Sequence, residues 1–150
     1  MTFAADKILC PVDFSEPSRE AMHVAAEMSR KLDASLTLLH VVSLPSVGFP
    51  EVAFALPAAE MGTKVEEMLN EWRKEARSLG VHVVHIQTSV GTPYQEIVRI
   101  ARDGYGMIVV GTHGRTGLDH LLVGSVAEKI VRRAPCPVLT VRPQAARDSS

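Results

Sequence analysis

Met107-Ile-Val-Val110-Gly111-Thr-His-Gly114-Arg-Thr-Gly117-Leu-Asp-His-Leu-Leu-Val-Gly124-Ser125 joins two kinds of pattern. Met107 to Val110 is a short unbroken apolar run, the mark of a strand covered on both faces. From Val123 onward the apolar residues Val123, Val126, Ala127, Ile130, Val131 and Ala134 recur at helical spacing. A strand, a glycine-rich connection and a helix follow one another, which is one β-α unit.

The same unit recurs along the chain. Apolar runs at Lys7 to Val12, Ser35 to Val42, Val81 to Ile86, Met107 to Val110 and Val138 to Val141 read as five strands. Between them lie helical stripes: Ala21, Val24, Ala25, Met28 and Leu32; Val65, Met68, Leu69, Trp72, Ala76 and Leu79; and Tyr94, Ile97, Val98 and Ala101. Thr92 with Pro93 and Gln95, and Ser125 with Glu128, predict capping boxes at two helix starts, while Gly80 predicts the end of the second helix. Strict alternation of this kind predicts right-handed crossovers and an α/β fold with a doubly wound, five-stranded parallel sheet.

Strand starts at residues 7, 35, 81, 107 and 137 leave one interval about 18 residues longer than the rest, and the excess lies in Ser43 to Glu60. That segment, with Pro45, Gly48, Pro50 and Pro57, reads as a long surface loop. It is a tolerated insertion or, since Val47, Phe49, Val52, Phe54 and Leu56 are unusually apolar for solvent, a lid or partner-binding segment. Residues 1–143 are expected to form a single domain and 144–150 a flexible tail.

Composition narrows the function. The 150 residues suffice for one domain with its own core. With 16 basic against 17 acidic residues, the net charge of −1 provides no global field for DNA, RNA or an anionic membrane, so neither is an expected partner. Two cysteines, Cys10 and Cys136, lie in or beside apolar runs and read as buried small hydrophobes, which fits a reducing cytoplasm better than a secreted disulfide framework. No leader or membrane span is expected, because the start of the chain lacks a basic region followed by an apolar one and no run approaches about 18 apolar residues.

Chemistry is expected where strands of an open α/β sheet end and the winding reverses. After the fourth strand, glycines let backbone N–H groups approach an anion, Ser125 adds a hydroxyl at a helix start, and Arg115 supplies a cation. That set suits a polyphosphate. The spacing is neither a Walker A loop nor the dinucleotide-binding Gly-x-Gly-x-x-Gly.

Gly111, Gly114, Gly124 and Ser125 read Gly-x2-Gly-x9-Gly-Ser, and with this spacing the chain resembles the universal stress protein family in its ATP-binding subgroup. The resemblance extends to Ile8-Leu-Cys-Pro-Val-Asp-Phe-Ser15, Leu38-Leu-His-Val41 and Ala134-Pro-Cys-Pro-Val-Leu-Thr-Val141. It implies a three-layer α/β/α fold like that of adenine nucleotide alpha hydrolases, with strand order 3-2-1-4-5 and a cleft between strands 1 and 4. Pro11, Val12 and Asp13 would flank adenine and ribose, and the backbone at Val41 would recognise the base. Gly111, Thr112, His113, Gly114, Arg115, Thr116 and Gly117 would line ribose and phosphates, with Gly124, Ser125 and Val126 closing on the phosphates. The resemblance also implies ATP with Mg2+ or Mn2+ carried by the triphosphate, and a homodimer through the edge strand Val138, Leu139, Thr140 and Val141.

Several residues also carry plainer readings. Asp13 with Glu16 three residues on suits a helix cap, and His40 suits a satisfied interior histidine. His82 and His85, three apart on one strand, point to opposite faces and cannot share a metal. His113 reads as a hydrogen-bonding loop residue, His120 as a loop residue and His23 as a helix-surface residue. Arg132 and Arg133 complement the dipole at the end of the last helix.

Three functions follow: a regulatory ATP-binding protein read by an unidentified protein partner, a slow ATPase acting as a switch, or an interaction module holding AMP or cyclic AMP. Hydrolysis needs a positioned water and charge stabilisation. Arg115 and His113 are available, but no carboxylate base stands at the phosphate end, so binding ranks above catalysis and no residue is assigned a catalytic or metal-ligating role.

Overall fold

In the computed structural model, residues 5–43, 58–113 and 124–143 are described. Strands β1 (Lys7–Pro11), β2 (Ser35–Val42), β3 (Val84–Val90), β4 (Met107–Gly111) and β5 (Val138–Val141) alternate with helices α1 (Glu16–Leu32), α2 (Ala58–Ser78), α3 (Pro93–Ala101) and α4 (Ser125–Arg133). The strands form one parallel sheet in the order β3-β2-β1-β4-β5. This is the α/β architecture and strand order expected.

The apolar runs are continuous because each strand has a core on either side. Ile8 and Cys10 of β1, Leu36 and Leu38 of β2 and Val109 of β4 point into a core under α1 and α2. Leu9, Leu39, Ile108 and Val110 point the other way, under α3 and α4. Alternate side chains leave a strand on opposite faces, so a doubly covered sheet needs both sets apolar. Each fully buried Leu or Ile contributes about 1.5–3 kcal/mol relative to its exposed state.

The third strand departs from expectation. Val81 is buried but precedes the ladder, and β3 extends from Val84 to Val90, pairing residue for residue with Leu36–Val42. β3 is an edge strand whose His85, Gln87 and Thr88 are exposed, so its second half carries no apolar run. Its length is set by the neighbouring β2. The first apolar stripe is also rotated: Met22, Ala26 and Ser29 are buried with Ala21 and Ala25, whereas Leu32 is exposed. In α4, Ala127 and Ile130 are buried but Val126 and Val131 are exposed, because a nine-residue helix against one end of the sheet buries a narrow stripe.

Helix starts differ in detail as well. Ser15, not Asp13, caps α1, its Oγ accepting from the Ser18 N–H at 3.3 Å. Thr92 precedes α3 without a side-chain capping bond, and Gln95 donates instead to the Tyr94 hydroxyl. Gly124 takes the cap position of α4, so Ser125 is the first helical residue and Glu128 pairs with Arg132 at 2.9 Å. Gly80, with φ of +102°, follows α2 as expected. Helix α2 begins at Ala58, inside the segment 43–60 read as loop; the rest of that reading beyond Ser43, like the tail 144–150, lies outside the described residues. Among the described residues, no helix is long and apolar enough to cross a membrane.

Candidate functional site

β1 and β4 are adjacent, and the chain leaves them in opposite senses, to α1 on one face and toward α4 on the other. That reversal opens a cavity of about 500 Å³ at their carboxyl ends. From β1 and its turn come Pro11, Val12 and Asp13, and from the end of β2 come His40, Val41 and Ser43. Gly111 lines it at the end of β4 with Thr112 and His113 just beyond, and Gly124, Ser125, Val126 and Ala127 line it at the start of α4. The candidate residues Gly114, Arg115, Thr116 and Gly117 lie outside the described residues.

Asp13 is held by the turn that follows β1. Its Oδ1 accepts from the Ser15 N–H at 3.0 Å and from the Ser15 hydroxyl, while its own N–H donates to Ser18 Oγ at 3.2 Å. A carboxylate fixed to one loop in this way is pre-oriented at the cavity wall. Phe14 follows with φ of +65°, unusual for a bulky side chain, and its ring packs on those of His40 at 4.8 Å and Trp72 at 5.4 Å.

On the far side, Thr112 is buried, and its N–H donates to the Val141 carbonyl at 2.9 Å. Thr112 Oγ1 lies 3.0 Å from His113 Nδ1 and 3.4 Å from the same carbonyl, which ties the cavity to the end of β5. Gly124 donates its N–H to the Thr112 carbonyl, and a Cβ at Gly124 would sit 2.7 Å from that oxygen. A Cβ at Gly111 would lie 3.2 Å from the Pro17 carbonyl. These two glycines therefore serve close packing of the protein's own backbone. In α4 the helical ladder starts with the Glu128 N–H donating to Gly124, leaving the earlier amides Ser125, Val126 and Ala127 at the cavity without intrahelical acceptors. Amides so placed favour an anion.

Burial raises the Cys10 thiol to about 12, which removes its thiolate near neutrality, and raises the half-buried Cys136 by the same cause. Both are unpaired. Cys136 is less buried than its apolar surroundings in sequence predict. His82 precedes β3 and His85 lies within it, both exposed; His23 pairs with Glu75 at 3.2 Å on the surface. No group of three or more His, Cys, Asp or Glu among the described residues is placed to hold a metal ion. Arg133 ends α4 over the Tyr94 ring.

The profile of the universal stress protein family matches residues 4–142. The chain belongs to this family. Universal stress protein MJ0531 of Methanocaldococcus jannaschii is 37% identical over 139 residues, covering 91% of this chain and 81% of its own. Among solved structures, universal stress protein UspA from Lactobacillus plantarum superposes with a TM-score of 0.84 at 25% identity, over 94% of this chain and all of that one. Two further universal stress proteins share the fold and were solved with nucleotides. One is in complex with cAMP (TM-score 0.71, 22% identity, 94% of this chain and 99% of that one). The other, from Archaeoglobus fulgidus, is in complex with dAMP (TM-score 0.66, 22% identity, 93% of this chain and 98% of that one).

Some lining residues of this universal stress protein domain escape sequence reading. His40 has a hydrogen-bond partner, its Nδ1 lying 2.8 Å from the Val12 carbonyl, but it is only half-buried and lines the cavity, so it is not the interior histidine expected. Pro93 and Ile97 of α3 line the same cavity. Their available signal was topological: α3 follows the edge strand beside β2, so its start overhangs the β2 end.

Proposed function

We propose that this universal stress protein binds ATP in the cavity at the ends of β1 and β4 and acts as a nucleotide-dependent regulatory protein of the stress response in the reducing cytoplasm. The observation that carries the reading is the convergence of two unlike surfaces on one cavity: backbone at the end of β2 beside Asp13, and the amide-bearing start of α4. The first suits a base and ribose, the second phosphate. Pro11, Val12, Asp13 and Val41 hold adenosine in this reading; Gly111, Thr112 and His113 line ribose and phosphates, and Gly124, Ser125 and Val126 close on the phosphates. Mg2+ or Mn2+, if carried by the triphosphate, would neutralise part of its charge. The nucleotide complexes of two proteins of the same fold support an adenylate as the ligand class.

The test is calorimetric titration of nucleotide-stripped protein with ATP, AMP and cyclic AMP, with and without Mg2+. Tighter binding of ATP with Mg2+ than of AMP is expected. Binding of none of the three would overturn the reading, and preference for cyclic AMP or AMP would replace it with the interaction-module alternative.

The output of the site is a homodimer read by a protein partner. β5 is an edge strand with Thr140 exposed, which supports antiparallel pairing with β5 of a second copy through Val138, Leu139, Thr140 and Val141. Thr140→Asp, which sets like charges against each other across the two-fold axis, should yield a monomer in sedimentation velocity. An unchanged dimer would place the interface elsewhere.

A further inference from the structure

The β1-β2 ladder stops one rung early. Pro11 pairs with Leu39, and the Val12 N–H donates to the Leu39 carbonyl at 2.8 Å. In a parallel ladder the next rung runs from the Val41 N–H to the Val12 carbonyl. That bond is not made among the described residues: the Val12 oxygen meets His40 Nδ1 at 2.8 Å. A carbonyl only accepts, so the proton of this contact is on Nδ1.

The backbone of Val41 points toward this gap. The Leu36 N–H donates to Val83 and the Val42 carbonyl accepts from Gly91, so even-numbered residues of β2 turn their backbone groups to the β3 side. Odd-numbered residues turn theirs to β1, as the Leu39 carbonyl does. Past Val12 the chain swings away through Phe14 at φ +65°, whose ring stacks on the His40 imidazole. Val41 lines the cavity at that point.

We propose that His40 is a positioning residue: by holding the Val12 carbonyl it withholds the partner that Val41 would otherwise take, and leaves the Val41 N–H and C=O as an extended donor-acceptor edge for a ligand base. Resting on the nucleotide reading above, this assigns base selection to His40 acting through Val41. A purine that places an amine donor beside a ring-nitrogen acceptor complements such an edge. Guanine, with carbonyl and ring N–H in those places, does not. Removal of the imidazole donor frees the Val12 carbonyl to close the missing rung and consume the Val41 amide.

Two variants separate position from packing. His40→Asn places an amide nitrogen close to the Nδ1 position, whereas His40→Phe keeps a ring against Phe14 without the donor. Amide hydrogen exchange at Val41, followed by NMR without nucleotide, should be fast in the wild type and His40→Asn, and slower by about tenfold or more in His40→Phe. Affinity for ATP should fall about tenfold in His40→Phe, with the preference for ATP over GTP largely lost, and change less than about threefold in His40→Asn. If His40→Phe fails to fold, His40→Gln, whose donor lies one bond too far, takes its place. Equal Val41 exchange in all variants would overturn the proposal whether or not nucleotide binds. Failure of the wild type to bind ATP or GTP would instead overturn the nucleotide reading, while the exchange contrast still decides the role of His40.

Discussion

The ring of Phe14 meets that of Trp72 edge to face, with centroids 5.4 Å apart. Phe14 adjoins Asp13 at the cavity wall, and Trp72 sits in α2, so the pair is a direct contact between the candidate site and a helix on one face of the sheet. Trp72 is the single tryptophan of the chain and is buried, with the Arg19 guanidinium over its ring at 5.0 Å. Saturating ATP should therefore change tryptophan emission, and Phe14→Leu should reduce that change while leaving calorimetric binding measurable. Emission that stays constant while calorimetry records binding would show that the contact does not report occupancy.

Glu96 bridges the start of α3 to β3. Its carboxylate accepts from Arg99 Nη2 at 2.9 Å and from the Ser89 hydroxyl, and hydrogen bonds from these two groups, Arg99 first, hold it down to about 2 from its ordinary 4.5. A carboxyl lowered by folding contributes stability that is fully present above its unfolded value and is lost as pH falls toward its folded one. The melting temperature of Glu96→Gln should lie below that of the wild type at pH 7. The gap should hold down to about pH 5 and then close as the pH approaches 2. A gap that is independent of pH would assign the effect to hydrogen-bond geometry rather than charge.

Gly124 and Thr112 leave no room for a methyl group, since a Cβ at Gly124 would stand 2.7 Å from the Thr112 carbonyl. Gly124→Ala should cost about 1–3 kcal/mol of unfolding free energy by overpacking, and should weaken ATP by displacing the α4 amides. Gly111→Ala, at 3.2 Å from Pro17, should be milder. Urea denaturation of both variants checks the order. An α4 start that absorbs the change without loss would show it to be less firmly seated on β4.

Cys10 is fully buried in β1, with its thiol raised to about 12. In the native protein it should remain unlabelled by an aromatic disulfide reagent at pH 8, while Cys136, half-buried, reacts. Cys10 should label only on unfolding. Cys10→Ser places a hydroxyl in an apolar core and should destabilise by about 1–3 kcal/mol. Rapid native labelling at Cys10 would reveal opening of the central strand.

The order of strands and helices was legible in the sequence because it rests on local periodicity, and periods of two and 3.6 residues survive in any environment that has an inside. Tertiary structure decided what depends on neighbours. The extent of β3 follows β2 because an edge strand gains its order from one ladder and needs few apolar residues. Gly124 displaced Ser125 from the cap because the Thr112 carbonyl comes too close for a side chain there. His40 reads as a satisfied interior residue from its place in an apolar strand, but the structure leaves it half-buried, where it takes the Val12 carbonyl from Val41. That competition is between a side chain and a backbone on two different strands, and exists only once both have been brought to the same edge.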